Sequence, residues 1–151
     1  MRLASPLHDI GKIGISDTIL LKPGKLTDEE FAIIQQHPEI GYRILAEAKS
    51  DSLRLGASIA YTHHEKFNGS GYPRKLKGTA IPIEGRIAAI SDVFDALTTN
   101  RVYKSAIEVD KAVEILKEGR GSHFDPELLD IFLQNMDTVL RIKEQCADHI
   151  E

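Results

Sequence analysis

Apolar residues recur along this chain at three- and four-residue intervals, and convincing strand alternation is absent. That spacing predicts amphipathic helices. Leu3 to Asp9 reads as the last turns of a helix, stopped by Gly11. Thr27-Asp28-Glu29-Glu30 has the form of a capping box, with Thr27 as N-cap and Glu30 three places on. It opens a helix that bears Phe31 and Ile34 and ends at His37, where Pro38 blocks continuation and starts the next helix through Ile40, Ile44 and Leu45. Leu53 to His64 is predicted helical, with Leu53, Gly56, Ala57 and Ala60 forming a small-sided face suited to close packing. Asn68-Gly69-Ser70-Gly71-Tyr72-Pro73 is a loop by composition. A long helix then runs from Pro82 or Ile83 to about Thr99, with Ile87, Ile90, Phe94 and Leu97 as its apolar stripe and Asp92 and Asp95 on an offset face. Further helices are expected from about Glu108 to Glu118, from an Asp125 N-cap followed by Pro126 through Leu128, Leu129 and Phe132, and as an amphipathic C-terminal helix over 138–151. The pattern contains no internal repeat, and it predicts an all-α, single-domain helical bundle.

Composition narrows the class. A length of 151 residues suits one domain with its own core. Apolar residues make up 42% and charged residues 28%, as in ordinary globular chains. No apolar run approaches the roughly 20 residues that span a bilayer, and Met1 to Pro6 lacks the apolar segment of a signal peptide. A single cysteine, Cys146, excludes an internal disulfide framework and suits a reducing cytoplasm. The net charge of −4 argues against DNA binding or a general polyanion surface, so any phosphate must be held by local cations or by metal.

The candidate chemistry lies in an ordered set: His8-Asp9, His37, His63-His64 and Asp92. Imidazole and carboxylate are ligands for divalent transition metals. Neighbours on a helix point about 100° apart, so His63 and His64 suit one metal cluster only at a helix end. Paired metals acidify water and polarise phosphoryl oxygens, which makes phosphate-ester cleavage the natural chemistry of such a set. Taken singly, each residue has a plainer reading. His37 beside Pro38 suits a helix end, and Asp92 suits a solvated helix face, although its neighbours Ile90, Val93 and Phe94 favour a partnered carboxylate. Asp95 either accepts a hydrogen bond from a ligand or Lys12, or is structural. His123 and Asp125 are expected to cap a helix, and His149 to be solvated.

His8-Asp9-Ile10-Gly11-Lys12-Ile13-Gly14, with His37, His63-His64 and Asp92, resembles the HD superfamily of metal-dependent phosphohydrolases. His63-His64-Glu65-Lys66-Phe67-Asn68-Gly69-Ser70-Gly71-Tyr72-Pro73 is similar to the signature of its HD-GYP subfamily. Lys22 to Thr27, Asp92 to Thr98, Arg101 to Lys104 and His123 to Pro126 extend the likeness over about residues 3–135. The resemblance implies a phosphodiesterase that hydrolyses cyclic di-GMP to pGpG and often GMP, with two or three ions, commonly iron or manganese. It implies metal ligation by His8, Asp9, His37, His63, His64 and Asp92, with Asp9 bridging two ions. Lys12 matches a lysine that contacts the scissile phosphate, so Asp9 and Lys12 are the candidate catalytic residues. Tyr72, Arg101 and Lys104 match substrate-contacting positions. Diguanylate cyclase domains are candidate partners, and receiver or sensor domains often precede this domain in the family.

One departure bears on activity. The family places another histidine ligand, and in trimetal members a glutamate, on a helix upstream of the His-Asp pair, whereas here that pair falls only eight residues from the start. Termini fray, so the chain is expected to be a fragment lacking its first helix, with fewer or weaker ions and weak or no activity. Two other readings stay open: a non-catalytic module that binds cyclic di-GMP or a protein, and an HD phosphohydrolase acting on another nucleotide.

Overall fold

The computed structural model describes residues 4–100 and 105–147. Among them the chain is helix and turn, with no strand beyond an isolated bridge between Arg120 and Phe124. Two short 3-10 segments, Ser5–Leu7 and Ile10–Gly14, lead into α1 (Asp17–Leu20), α2 (Asp28–Ile34), α3 (His37–Leu45) and α4 (Asp51–Thr62). After the loop and a third 3-10 turn (Gly78–Ala80) come α5 (Ile83–Thr98), α6 (Val109–Glu118), α7 (Pro126–Gln134) and α8 (Met136–Ala147). No helix among the described residues is long and apolar enough to cross a membrane.

α5 is the central element because two of its faces are apolar. Ala88 packs with Ala4, Ile59 and Leu55, joining α5 to α4 and to the start of the chain. Ile90 and Phe94 pack with Ala112 and Leu116 of α6, Phe124, and Leu129 of α7. Burying each large side chain contributes about 1.5–3 kcal/mol, so these clusters fix α5 from both sides. Val139 and Leu140 of α8 extend the second cluster, so that helix packs within the molecule.

Several boundaries follow the sequence closely. Thr27 Oγ1 accepts from Glu30 N and Glu30 returns a bond to Thr27 N, completing the capping box. Asp125 Oδ1 accepts from Glu127 N and Leu128 N at the start of α7. Its other oxygen takes Arg86 Nη1 at 2.6 Å, an ion pair that is nearly solvent-free.

Others differ. The start of the chain is not the end of an α-helix: Pro6 lies in the first turn of a 3-10 segment. Gly11 is no stop but sits inside the next one, where it is needed for contact. A Cβ there would lie 1.9 Å from the His37 carbonyl oxygen and 2.5 Å from Gly41 N, so only glycine lets this segment lie against α3. His37 opens α3 instead of closing α2, because Pro38 is tolerated in a first turn. On the small-sided face of α4, Gly56, Ala57 and Ala60 are buried, but Leu53 is exposed. α8 starts at Met136, two residues early, because Asn135 O accepts both Thr138 N and Val139 N.

Candidate metal centre

The six expected ligands come from four places in the chain and converge. His8 and Asp9 lie between the first two 3-10 segments, His37 at the start of α3, His63 and His64 just beyond α4, and Asp92 on α5. Asp9, His37, His63 and His64 each offer a ligand atom, and those four atoms lie within 4.8 Å of one another. Asp9 is the pivot. Its Oδ1 is 3.3 Å from His37 Nε2 and 3.8 Å from His63 Nε2, while Oδ2 is 3.4 Å from His8 Nε2. His8 Nε2 is in turn 3.7 Å from Asp92 Oδ1. His63 is the C-cap of α4, so the adjacent histidines leave a helix that has already ended. Their rings stand 4.0 Å apart, and the His64 ring lies 5.0 Å from that of His37.

Backbone carbonyls fix which nitrogen of each ring faces inward. His8 Nδ1 donates to Ser5 O at 2.9 Å, His37 Nδ1 to Ile34 O at 2.7 Å, and His63 Nδ1 to Ala60 O at 3.0 Å. In each case the acceptor lies three residues back, the reach of one helical turn. A ring nitrogen that donates this way leaves Nε2 as a lone-pair donor toward the centre. His37 Nε2 and His63 Nε2 then face each other at 3.4 Å. Two lone pairs so placed repel unless a cation or proton lies between them.

Electrostatics favour the same reading. Burial pushes His63 down to about 4, assisted by the charge of His8. Burial likewise pushes His64 down to about 2, with His63 and His37 adding to the effect. Both rings are neutral at neutral pH, the form that ligates metal. Burial opposes ionisation of Asp9, but the His37 and His8 rings and the Lys12 ammonium beside it outweigh that cost and hold the carboxyl well below its usual range. The hydrogen bond to Asp9 raises His8 against the cost of its burial. An anionic carboxylate beside the neutral His63 and His64 rings, with a second carboxylate alongside, is a donor set that fits a divalent cation.

Of the expected substrate contacts, two adjoin the centre. Lys12 Nζ lies 2.6 Å from Asp9 Oδ2. Tyr72 stacks on His64 with centroids 4.7 Å apart and rings inclined by 22°. Burial pushes the Tyr72 hydroxyl up to about 12, with the Asp9 and Asp92 charges adding to it, so the group stays protonated. Arg101 and Lys104 lie outside the described residues. Asp95 accepts from Thr99 Oγ1 and shares with His8 and Asp92 the lining of a cavity of about 410 Å³. His123 stacks on Phe124, and among the described residues the side-chain cap of α7 is Asp125.

Sequence reasoning missed the residue that shapes the Tyr72 loop. Glu65 is buried, and its carboxylate accepts from Arg74 N at 2.7 Å and Leu76 N at 3.0 Å. Tyr72 N donates to His64 O, and a Cβ on Gly71 would lie 2.3 Å from Lys66 N, so the loop folds tightly back on its own start. Phe67 N and Asn68 N donate to His123 O and Ser122 O, tying the loop to the turn before α7. A lone glutamate after two histidines carries no local signal for this role, which depends on a turn nine residues away.

A helical bundle with a partly buried His/Asp cluster has the donor set expected of a metal-binding protein. The family model for the HD domain matches residues 1–128, and the chain belongs to that family. It is 53% identical over 135 residues to a cyclic di-GMP phosphodiesterase of Vibrio cholerae serotype O1, covering 86% of this chain and 27% of that protein. It is 48% identical over 145 residues to a 3'3'-cGAMP-specific phosphodiesterase 2 of the same organism, covering 96% and 28%. The chain thus spans little more than a quarter of the length of these relatives. A solved structure of a cyclic GMP-AMP specific phosphodiesterase of V. cholerae shares the fold, with a TM-score of 0.60 at 20% identity over 87% of this chain and 36% of that one.

Proposed function

We propose that this chain is the hydrolytic core of an HD-GYP phosphodiesterase that cleaves cyclic di-GMP to pGpG, GMP or both, in bacterial second-messenger signalling in the cytoplasm. The observation that carries the reading is the inward-facing pair His37 Nε2 and His63 Nε2, set around the Asp9 carboxylate. His8, Asp9, His37, His63, His64 and Asp92 would hold two or three divalent ions, iron or manganese. Such ions supply Lewis acidity and make a water nucleophilic at neutral pH. The two oxygens of Asp9 point at different histidines, which supports a bridging role.

The remaining work falls to the chain. Lys12 lies beside the Asp9 carboxylate, where an ammonium would offset charge that builds on a phosphate in the transition state. Arg101 and Lys104 are proposed to contact a substrate phosphate. Tyr72, protonated and stacked on His64, donates a hydrogen bond to the substrate. The upstream histidine of the family, a preceding receiver or sensor domain, and diguanylate cyclase partners belong to the same proposal.

The test is incubation of the Mn²⁺- or Fe²⁺-loaded chain, and of a version extended upstream, with cyclic di-GMP, followed by chromatography. Product pGpG or GMP is expected, with higher turnover from the extended version. No cleavage by an extended protein with metal verified would overturn the reading. A second reading rests on the 48% identity to a 3'3'-cGAMP-specific enzyme: the substrate is the mixed dinucleotide. Competing the two dinucleotides in one assay separates them. Tight binding by metal-free protein without cleavage would instead identify a binding module.

A further inference from the structure

α2 has no buried residue, although it carries Phe31 and Ile33. It is nonetheless held firmly. The capping box closes its first turn, and Lys22 Nζ bonds both carboxylate oxygens of Glu30 at 2.7 and 2.8 Å. What this small helix presents is Phe31, whose ring meets that of Tyr72 at right angles, with centroids 6.4 Å apart and an interplanar angle of 79°. Tyr72 is stacked in turn on the candidate ligand His64. Three rings therefore lead from the metal centre outward, and the outermost, Phe31, is 46% exposed.

An aromatic ring left half open gains by being covered, and a planar base is a good cover because every base has a π-face. Phe31 stands two ring contacts from the centre, so one nucleotide can place its phosphate on the cluster and its base on the ring. Lys22 on the adjoining segment is paired with Glu30. Stacking is the interaction that a half-exposed ring offers. We infer that Phe31 is a base-stacking residue, receiving the purine of the nucleotide whose phosphate is held at the metal centre. The inference rests on the proposed cyclic-dinucleotide reading and adds to it how the base is held. Stacking tolerates either purine, so Phe31 selects planar bases over other groups without choosing guanine over adenine.

The chain contains no tryptophan, so Phe31→Trp introduces a single indole reporter. Its emission in the metal-loaded protein is expected to be quenched by GMP, pGpG and cyclic di-GMP, and unchanged by ribose 5-phosphate or inorganic phosphate. Phe31→Ala is expected to raise KM for cyclic di-GMP roughly ten-fold, the scale of one lost base stack, with a much smaller change in kcat. The loss should be far smaller with bis(para-nitrophenyl) phosphate, which has no purine. An indole blind to purine nucleotides in a protein that cleaves cyclic di-GMP would overturn the inference and leave the function standing. Purine-specific quenching in an extended protein, with metal verified, that cleaves no cyclic dinucleotide would uphold Phe31 as a base platform and overturn the substrate instead.

Discussion

Asp9 reaches His8, Lys12, His37 and His63. Replacing it with Asn keeps the shape but removes the charge that two ions would share. Loss of a group that merely orients a ligand costs 10–100-fold in metal affinity or activity; Asp9→Asn is expected to cost at least that, read as bound manganese per chain and as turnover. Glu65 predicts a different outcome. Glu65→Ala strands the N–H groups of Arg74 and Leu76, at about 1–3 kcal/mol of stability. It also frees the turn that follows Tyr72, so substrate KM should rise while metal content holds. Equal loss of metal and substrate binding would contradict this division of labour. At this scale the candidate ligands were legible because His8-Asp9 and His63-His64 stand out as pairs. Glu65 was not, because its partners are backbone groups of a turn whose shape no local pattern encodes.

Helices were legible where their ends carry chemistry. Thr27 and Glu30 announce the start of α2, and Asp125 with Pro126 that of α7. Thr27→Ala should cost about 1 kcal/mol and loosen α2, which is seen most directly as faster amide exchange over Asp28–Ile34. The apolar stripe of α5 was equally plain at Ile90 and Phe94. Phe94→Ala, at the meeting of α5, α6 and α7, is expected to destabilise the fold by about 3–5 kcal/mol in denaturant unfolding. The start of the chain misled because α and 3-10 turns share the same three-residue recurrence, and Gly11 looked like a stop when its role is contact. Leu53 likewise matched the face of α4 by spacing, yet the face that packs ends at Gly56.

The whole molecule joins two apolar clusters through α5, with the candidate metal centre where His8, His63 and Asp92 meet. No periodicity shows which helices pack together, so the convergence of the six candidate ligands was legible only through resemblance to a family. Burial of charged groups makes this fold acid-sensitive. His63 has its folded pKa lowered from 6.5 to about 4, so the unfolded chain takes up protons first as the solution is acidified. Stability is therefore lost as pH falls from the ordinary histidine range toward about 4. Asp125, held low by Arg86 against its burial, acts in the same direction, its contribution vanishing as pH falls through its depressed folded value. His8, raised by Asp9, works oppositely: its contribution is present below the ordinary histidine value and lost as pH rises through the raised one. Thermal unfolding of the metal-free protein should show a lower midpoint at acid than at neutral pH.

The central claim is that His8, Asp9, His37, His63, His64 and Asp92 share a cluster of cations. Anomalous diffraction at the manganese edge, from crystals of Mn²⁺-loaded protein, tests it most directly. The account predicts density against both oxygens of Asp9, with His37 and His63 coordinating through Nε2. Manganese bound elsewhere, or an Asp9 carboxylate that touches no ion in fully loaded protein, would contradict it.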